Sequence, residues 1–99
     1  MKDTKEEIFQ KALDKWGFNS RVKQLFEEMA ELVIALNKFD RAQNDDIREG
    51  CVYAIIDEIA DVELMLDQMK YIFYCKERVE ERYKMKLDRL IKMVTEVIE

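Results

Sequence analysis

The chain has 99 residues, of which 22 are acidic and 17 basic, so its formal charge at pH 7 is −5 in the complete absence of histidine. This length suits a single domain over residues 1–99, and the net acidity argues against general nucleic-acid binding. With no proline and only two glycines, the chain lacks the turn residues that sheets need at regular intervals, which excludes the all-β and α/β classes. The charged fraction of 39% is typical of long helices with solvated faces, so we expect an all-α fold.

Apolar residues recur at helical spacing in four segments, which predicts a four-helix bundle-type domain. The predicted helices span about residues 3–16, 20–39, 50–74 and 77–98. Gly17 is a helix stop in this interpretation, and Asn19 or Ser20 caps the second helix. The polar residues 40–49 form the main loop. No breaker separates the last two helices, so a bend and one long helix both stay open.

The apolar runs are too short for a membrane protein. The longest, residues 51–56, contains six residues, far below the roughly 20 that a membrane span requires. The charged start of the chain lacks the apolar segment of a secretory signal, so we expect a cytoplasmic protein. Cys51 and Cys75 have no CxxC motif or histidine nearby, which favours buried or half-buried thiols over a disulfide or a zinc site.

The second and third predicted helices carry the same pattern at a separation of 30 positions. Residues 26–32 (FEEMAEL) match residues 56–62 (IDEIADV), with every carboxylate on a carboxylate and every apolar residue on an apolar one. Amphipathic helices of acidic proteins often look alike, and coincidence is the plainer alternative. The match favours two helices of equivalent role that pack face to face.

Two acidic pairs border the apolar stripes of these helices. Glu28 and Glu31 lie about 60° apart around one helix axis, and Glu58 and Asp61 do the same on the other. Four converging carboxylates would repel one another, so their convergence implies a bound cation. All-oxygen ligands favour Mg²⁺, with Mn²⁺ possible, and the lack of histidine argues against a di-iron site. The alternative is that the carboxylates only solvate two helix faces.

The spacing of these residues resembles a family motif. Glu27-Glu28-x-x-Glu31 followed by Glu58-x-x-Asp61 is similar to the EExxE…ExxD motif of the MazG-like all-α nucleoside triphosphate pyrophosphohydrolases. The resemblance extends from Lys15-Trp16-Gly17 to Leu66, about half of the chain. It implies that Glu28, Glu31, Glu58 and Asp61 bind magnesium and that Glu27 belongs to the catalytic group, as a ligand, an outer partner or a base. It also implies hydrolysis of a (d)NTP to a (d)NMP and pyrophosphate.

A triphosphate substrate also needs cationic partners. Arg78, Arg82 and Lys86 share one flank of the last predicted helix and are candidates for phosphate binding, although ion pairs with neighbouring acids would explain them equally. Trp16 is a candidate for stacking on a base, with core or interface packing as its alternative.

We therefore expect a Mg²⁺-dependent nucleotide pyrophosphohydrolase with a nucleotide as its partner. The alternative from another class is a non-catalytic helical interaction module that keeps the fold. A chain this short with broad apolar stripes also indicates a homodimer or a dimer of dimers.

Overall fold

The structure, a computed structural model, describes residues 2–96 and contains helices without any strand in that range. Its four helices are α1 (Lys5–Trp16), α2 (Phe18–Asp40), α3 (Asp45–Ile72) and α4 (Lys76–Thr95). The all-α class is therefore confirmed. The end of the fourth predicted helix, residues 97–98, lies outside the described part of the chain. No helix within residues 2–96 is long and apolar enough to cross a membrane.

The chain divides into two compact units between Met69 and Lys70. The first contains α1, α2 and most of α3, and the second contains the end of α3 together with α4. The expectation of one domain over residues 1–99 stays a prediction.

The turn between α1 and α2 is made by Gly17. Thr4 caps the start of α1, where its Oγ1 accepts a hydrogen bond from the N–H of Glu7 at 3.1 Å. Gly17 ends the helix with φ +84° and donates its N–H to the carbonyl of Leu13 at 2.8 Å. The predicted stop at Gly17 is therefore confirmed. The predicted cap of α2 is wrong, because α2 begins directly at Phe18 and has no side-chain cap.

The loop between α2 and α3 is shorter than the sequence predicts. Asn44 Oδ1 accepts a hydrogen bond from the N–H of Ile47 at 2.9 Å, so α3 begins at Asp45 and not near residue 50. Asp45 and Asp46 then lie in the first turn, where the positive end of the helix dipole stabilises them. Gly50, the predicted first residue of the third helix, is an exposed position inside α3.

A backbone cap separates α3 from α4. Tyr74 adopts φ +49°, and its N–H donates to the carbonyl of Tyr71 at 3.2 Å. The N–H of Cys75 donates to the carbonyl of Lys70 at 3.0 Å, which completes the two bonds of a Schellman motif. The alternative of one continuous helix is therefore wrong. The helix ends here without a glycine or proline. Cys51 and Cys75 are half-buried free thiols.

The core of the first unit is thin. Its buried apolar residues are Phe9, Ala35 and Met65, one from each of its helices, and they keep 7%, 6% and 4% of their accessible surface. Half-buried side chains surround them: Leu13 from α1, Val22, Leu25 and Leu32 from α2, and Ile55, Val62 and Met69 from α3. The ion pair of Lys5 with Asp67 at 2.8 Å joins α1 to α3. Arg48, 5.6 Å above the Phe39 ring, joins the end of α2 to the start of α3.

The two glycines should respond in opposite ways to replacement by alanine. A Cβ atom would meet nothing within 4 Å at either position, so only backbone conformation distinguishes them. Gly17→Ala forces a side chain into a region of φ and ψ that favours glycine, and should destabilise the fold by about 1–3 kcal/mol. Gly50→Ala removes glycine from a helix interior, and should stabilise it by about 1 kcal/mol.

Urea unfolding of both variants checks this prediction. Equal changes of the same sign would contradict the conformations assigned to Gly17 and Gly50.

Candidate functional site

The carboxylates predicted to converge do so along the contact between α2 and α3, which we call the acidic seam (Glu28, Glu31, Glu58 and Asp61). Glu28 interacts electrostatically with Asp61, and Glu58 interacts with Glu31. These pairs join the middle of α2 to the middle of α3, while Arg48 over Phe39 joins their connected ends. The two helices are therefore antiparallel. In the 30-residue sequence match, Glu28 corresponds to Glu58 and Glu31 to Asp61. Exchanging the two helices therefore converts the Glu28–Asp61 pair into the Glu58–Glu31 pair. An approximate two-fold relation between the helices requires this exchange.

Three members of the acidic seam are close enough to share an ion. Glu28, Glu31 and Glu58 each offer a carboxylate oxygen, and these oxygens lie within 4.8 Å of one another. Glu28 and Glu58 are half-buried, whereas Glu31 is exposed. Oε2 of Glu28 and Oε2 of Glu58 are shielded from solvent without a hydrogen-bond partner among the described residues. The seam therefore holds negative charge that these residues leave partly uncompensated.

Glu28 has a hydrogen-bond partner on its own helix that the sequence analysis missed. Gln24 Nε2 donates to Glu28 Oε1 at 2.7 Å, which lowers the pKa of Glu28. Burial and the negative charges of Asp61 and Glu31 raise it, and the net pKa lies above the ordinary value. The spacing of four residues between Gln24 and Glu28 is the sequence signal for this bond.

Glu58 experiences the same environment without the compensating amide. Burial is the largest cause of its raised pKa, and the negative charge of Glu31 is the next. Asp61 and Glu28 add further repulsion. Both half-buried members of the acidic seam therefore hold a proton more tightly than a solvated glutamate does.

Two predicted site residues, Asp61 and Glu27, are not among the three whose carboxylate oxygens converge. Asp61 acts on Glu28 and Glu58 through its charge, but it is not one of the three residues whose oxygens converge. Glu27 is exposed and lies about 100° around the α2 axis from Glu28, away from this group. The structure thus brings together three of the four predicted ligands, places the fourth beside them, and leaves Glu27 outside the cluster.

Trp16, the predicted base-stacking residue, is covered in part by cations. Its side chain lies at the end of α1 and keeps 52% of its accessible surface. The guanidinium carbon of Arg21 lies 4.5 Å from the ring centroid, and Lys15 Nζ lies 5.2 Å from it. Arg21 is not among the residues that the sequence pattern indicates.

The predicted phosphate-binding residues of α4 share one face of that helix. Arg78, Arg82 and Lys86 line a shallow surface depression together with Cys75, Val79 and Tyr83. Within residues 76–95, no ion pair shorter than 4 Å joins a basic to an acidic side chain, so the alternative of local ion pairing is not what the structure has. This face belongs to the second unit.

No family model matches the chain, and neither a curated protein nor a solved structure matches it. The resemblance to the MazG-like motif therefore stays a prediction.

The repulsion within the acidic seam predicts an unusual pH dependence of stability. A carboxyl group whose pKa is raised by folding binds protons more tightly in the folded chain than in the unfolded chain, so its contribution to stability falls as pH rises. For Glu28 and Glu58, this loss should begin near their ordinary pKa and end above their raised pKa. Glu58→Gln should reduce the loss and make the metal-free protein more stable than wild type at neutral pH.

Thermal melts in EDTA between pH 4 and pH 8 measure both effects. Asp57→Asn is the matched control, since Asp57 is the exposed neighbour of Glu58 and lies outside the acidic seam. If both variants shift the melting temperature alike, the effect comes from net charge and the repulsion across the helices is absent.

Proposed function

We propose that the chain is a Mg²⁺-dependent nucleoside triphosphate pyrophosphohydrolase of the MazG-like kind, which hydrolyses a (d)NTP to a (d)NMP and pyrophosphate. The observation that carries the proposal is the convergence of oxygens from Glu28, Glu31 and Glu58 within 4.8 Å, at the spacing of the EExxE…ExxD motif. A solvated acidic face has no need to bring carboxylates from two helices into such close contact, because their repulsion and desolvation oppose it.

The donor set fits magnesium by its chemistry. Every candidate ligand is a carboxylate oxygen, and hard divalent cations such as Mg²⁺ and Mn²⁺ prefer oxygen. Glu28, Glu31 and Glu58 would hold the ion, with Asp61 completing the set. The two shielded oxygens without partners, on Glu28 and Glu58, are the ones that would gain most from a cation.

The residues of the acidic seam have separate tasks in this proposal. Gln24 fixes Oε1 of Glu28 by its hydrogen bond and so leaves Oε2 as the oxygen available to the ion. Because ligands must be deprotonated, Glu28 and Glu58 release any proton they hold when the site is filled. Bound Mg²⁺ supplies neutralisation of the charge on the phosphates. Glu27, exposed on the flank of α2, would act from outside the ligand set by orienting water.

The proposed phosphate-binding residues of the second unit form a cationic surface of their own. Arg78, Arg82 and Lys86 form a basic face of α4 without local ion pairs, which leaves their charge available to phosphates.

The proposal includes assembly into a homodimer or a dimer of dimers. Large apolar side chains form an exposed stripe along α2, at Phe26, Met29, Val33 and Leu36, which keep 61%, 48%, 56% and 48% of their accessible surface. The equivalent positions of α3 include Ile56, Ile59 and Leu66, also exposed. Contiguous apolar surface of this kind favours association, and a second copy would cover it.

The decisive experiment is a panel of nucleotides with Mg²⁺ in which the products are separated by charge. Monophosphate plus pyrophosphate supports the proposal. If folded protein with magnesium hydrolyses no nucleotide, the proposal fails and the non-catalytic interaction module takes its place.

Amide substitutions test the assigned ligands. Glu58→Gln and Asp61→Asn each remove an anionic oxygen, so each should reduce turnover by orders of magnitude. Asp57→Asn changes the charge by the same amount on an exposed position and should keep near-normal turnover. If Glu58→Gln and Asp61→Asn both keep normal turnover, the metal-site assignment is wrong.

Assembly has its own measurement. Sedimentation velocity at micromolar concentration should give a mass of at least twice 11.9 kDa. Val33→Asp places a charge in the exposed stripe of α2 and should shift the protein towards monomer. The matched control, Lys38→Gln, changes the net charge equally at an exposed position on the same helix, about 120° around the axis from Phe26. A folded wild-type monomer at this concentration would refute the assembly.

A further inference from the structure

Arg21 and Lys15 form a cationic cluster around one aromatic ring. The Arg21 guanidinium lies 4.5 Å and Lys15 Nζ 5.2 Å from the centre of the Trp16 indole, as cation–π contacts do. Trp16 ends α1 and Arg21 lies in the first turn of α2, so the turn at Gly17 brings the three side chains together. We call these residues the Trp16 cluster.

No described acidic side chain pairs with the positive charge of this cluster. The chain has 22 acidic residues, yet neither Lys15 nor Arg21 has an acidic partner within 4 Å among the described residues. The first turn of α2 also has no acidic residue and no side-chain cap, so its free N–H groups add positive potential at the same place.

Arg21 also lies on the face of α2 that carries the acidic seam. Seven residues separate Arg21 from Glu28, which is close to two helical turns, so the two positions differ by about 20° around the axis and about 10 Å along it. Arg21 Nε is shielded from solvent and has no hydrogen-bond partner among residues 2–96. Among the described residues, the Trp16 ring is thus the contact recorded for the guanidinium at this end of the seam.

A second unpaired group lies at the same level on α3. Gln68 follows Asp61 by seven residues, and because the helices are antiparallel it faces the level of Arg21. Gln68 keeps only 7% of its accessible surface, and its Oε1 is shielded without a partner. Its Nε2 has only the sulfur of Met65 as acceptor, at 3.3 Å. Arg21 Nε on α2 and Gln68 Oε1 on α3 are thus a shielded donor and a shielded acceptor without partners among the described residues. Both lie about two helical turns along the helices from the carboxylates.

We infer that the Trp16 cluster is a phosphate subsite for the substrate of the acidic seam, with Arg21 as its principal ligand. The inference rests on the proposed function. A triphosphate bound at the seam carries several negative charges, and four carboxylates with one divalent cation are already net negative. A cation about 10 Å along the same helix face can bind the phosphates that extend beyond the ion. Trp16 then serves as the support of the guanidinium and not as a base-stacking ring.

Inorganic tripolyphosphate tests the subsite without requiring turnover. Trp16 is the single tryptophan of the chain, so its fluorescence reports directly on the cluster. Titration of wild-type protein with tripolyphosphate in the presence of Mg²⁺ should change this fluorescence, and calorimetry should give the dissociation constant. Arg21→Gln should weaken binding by about tenfold or more, since it removes a charge-assisted contact. Arg21→Lys keeps the charge but loses the two-pronged geometry, and should bind with intermediate affinity.

Lys23→Gln is the matched control. Lys23 is an exposed cation on the same helix, two positions from Arg21 and about 160° around the axis, so its removal changes the net charge equally. It should change the dissociation constant by no more than about twofold, as a surface charge does. Circular dichroism confirms folding of each variant, and Arg21→Lys provides the comparison if Arg21→Gln does not fold.

The outcomes separate the subsite from the proposed function. Unchanged affinity in Arg21→Gln, or an equal loss in Lys23→Gln, overturns the subsite. If wild type hydrolyses nucleotides and Arg21→Gln does so with unchanged KM, the subsite fails while the proposed function stands. If no nucleotide is hydrolysed but tripolyphosphate binds through Arg21, the proposed function fails and the phosphate site stands.

Discussion

The contact of like charges across α2 and α3 is the constraint on which the rest of the first unit depends. Glu28 and Glu58 are half-buried opposite other carboxylates, and their raised pKa values show that this arrangement opposes folding at neutral pH. Contacts near the carboxylates must therefore stabilise the fold enough to offset this repulsion. Ala35 and Met65 are buried on the faces that also carry the carboxylates, and Arg48 over Phe39 fixes the nearby connection.

The equivalence of α2 and α3 explains why the carboxylates meet at all. Both helices carry the same order of apolar and acidic residues, so a two-fold relation between them superposes one acidic pair on the other. In antiparallel packing this relation sets Glu28 against Asp61 and Glu31 against Glu58. A shift of one helical turn would move these carboxylates towards apolar neighbours, where unpaired charge costs more. The register that buries the apolar residues is therefore the register that gathers the charges.

How far the sequence predicted this structure depends on the kind of interaction. Helix periodicity and the internal match are local patterns, and they predicted the four helices and the convergence of Glu28, Glu31 and Glu58. The start of α3 differs from its predicted position because the polar composition of residues 40–49 predicts a loop, whereas Asn44 caps the helix within that stretch. The sequence does not predict the end of α3 before α4, because the residue at positive φ is a tyrosine and not the usual glycine.

The polar residues beside the acidic seam show a different limit of the sequence. Gln24, Arg21 and Gln68 are residue types that any solvated helix face carries, so composition does not distinguish them. Gln24 could have been found from its spacing of four residues to Glu28. Gln68 could not, because its burial depends on the long-range contact between the helices.

The charge and the packing of the first unit are linked, because they lie on adjacent faces of the same two helices. The acidic seam lies along the contact between α2 and α3, and the exposed stripe with Phe26 and Ile56 lies beside it. A cation in the seam would reduce the repulsion that separates the helices, and a second copy on the stripe would hold the same helices at a fixed spacing. Both events stabilise one arrangement of α2 and α3. Under the proposed function, cation binding must therefore increase the affinity of association, and association must increase the affinity for the cation by the same factor. Coupling through a shared conformation is reciprocal.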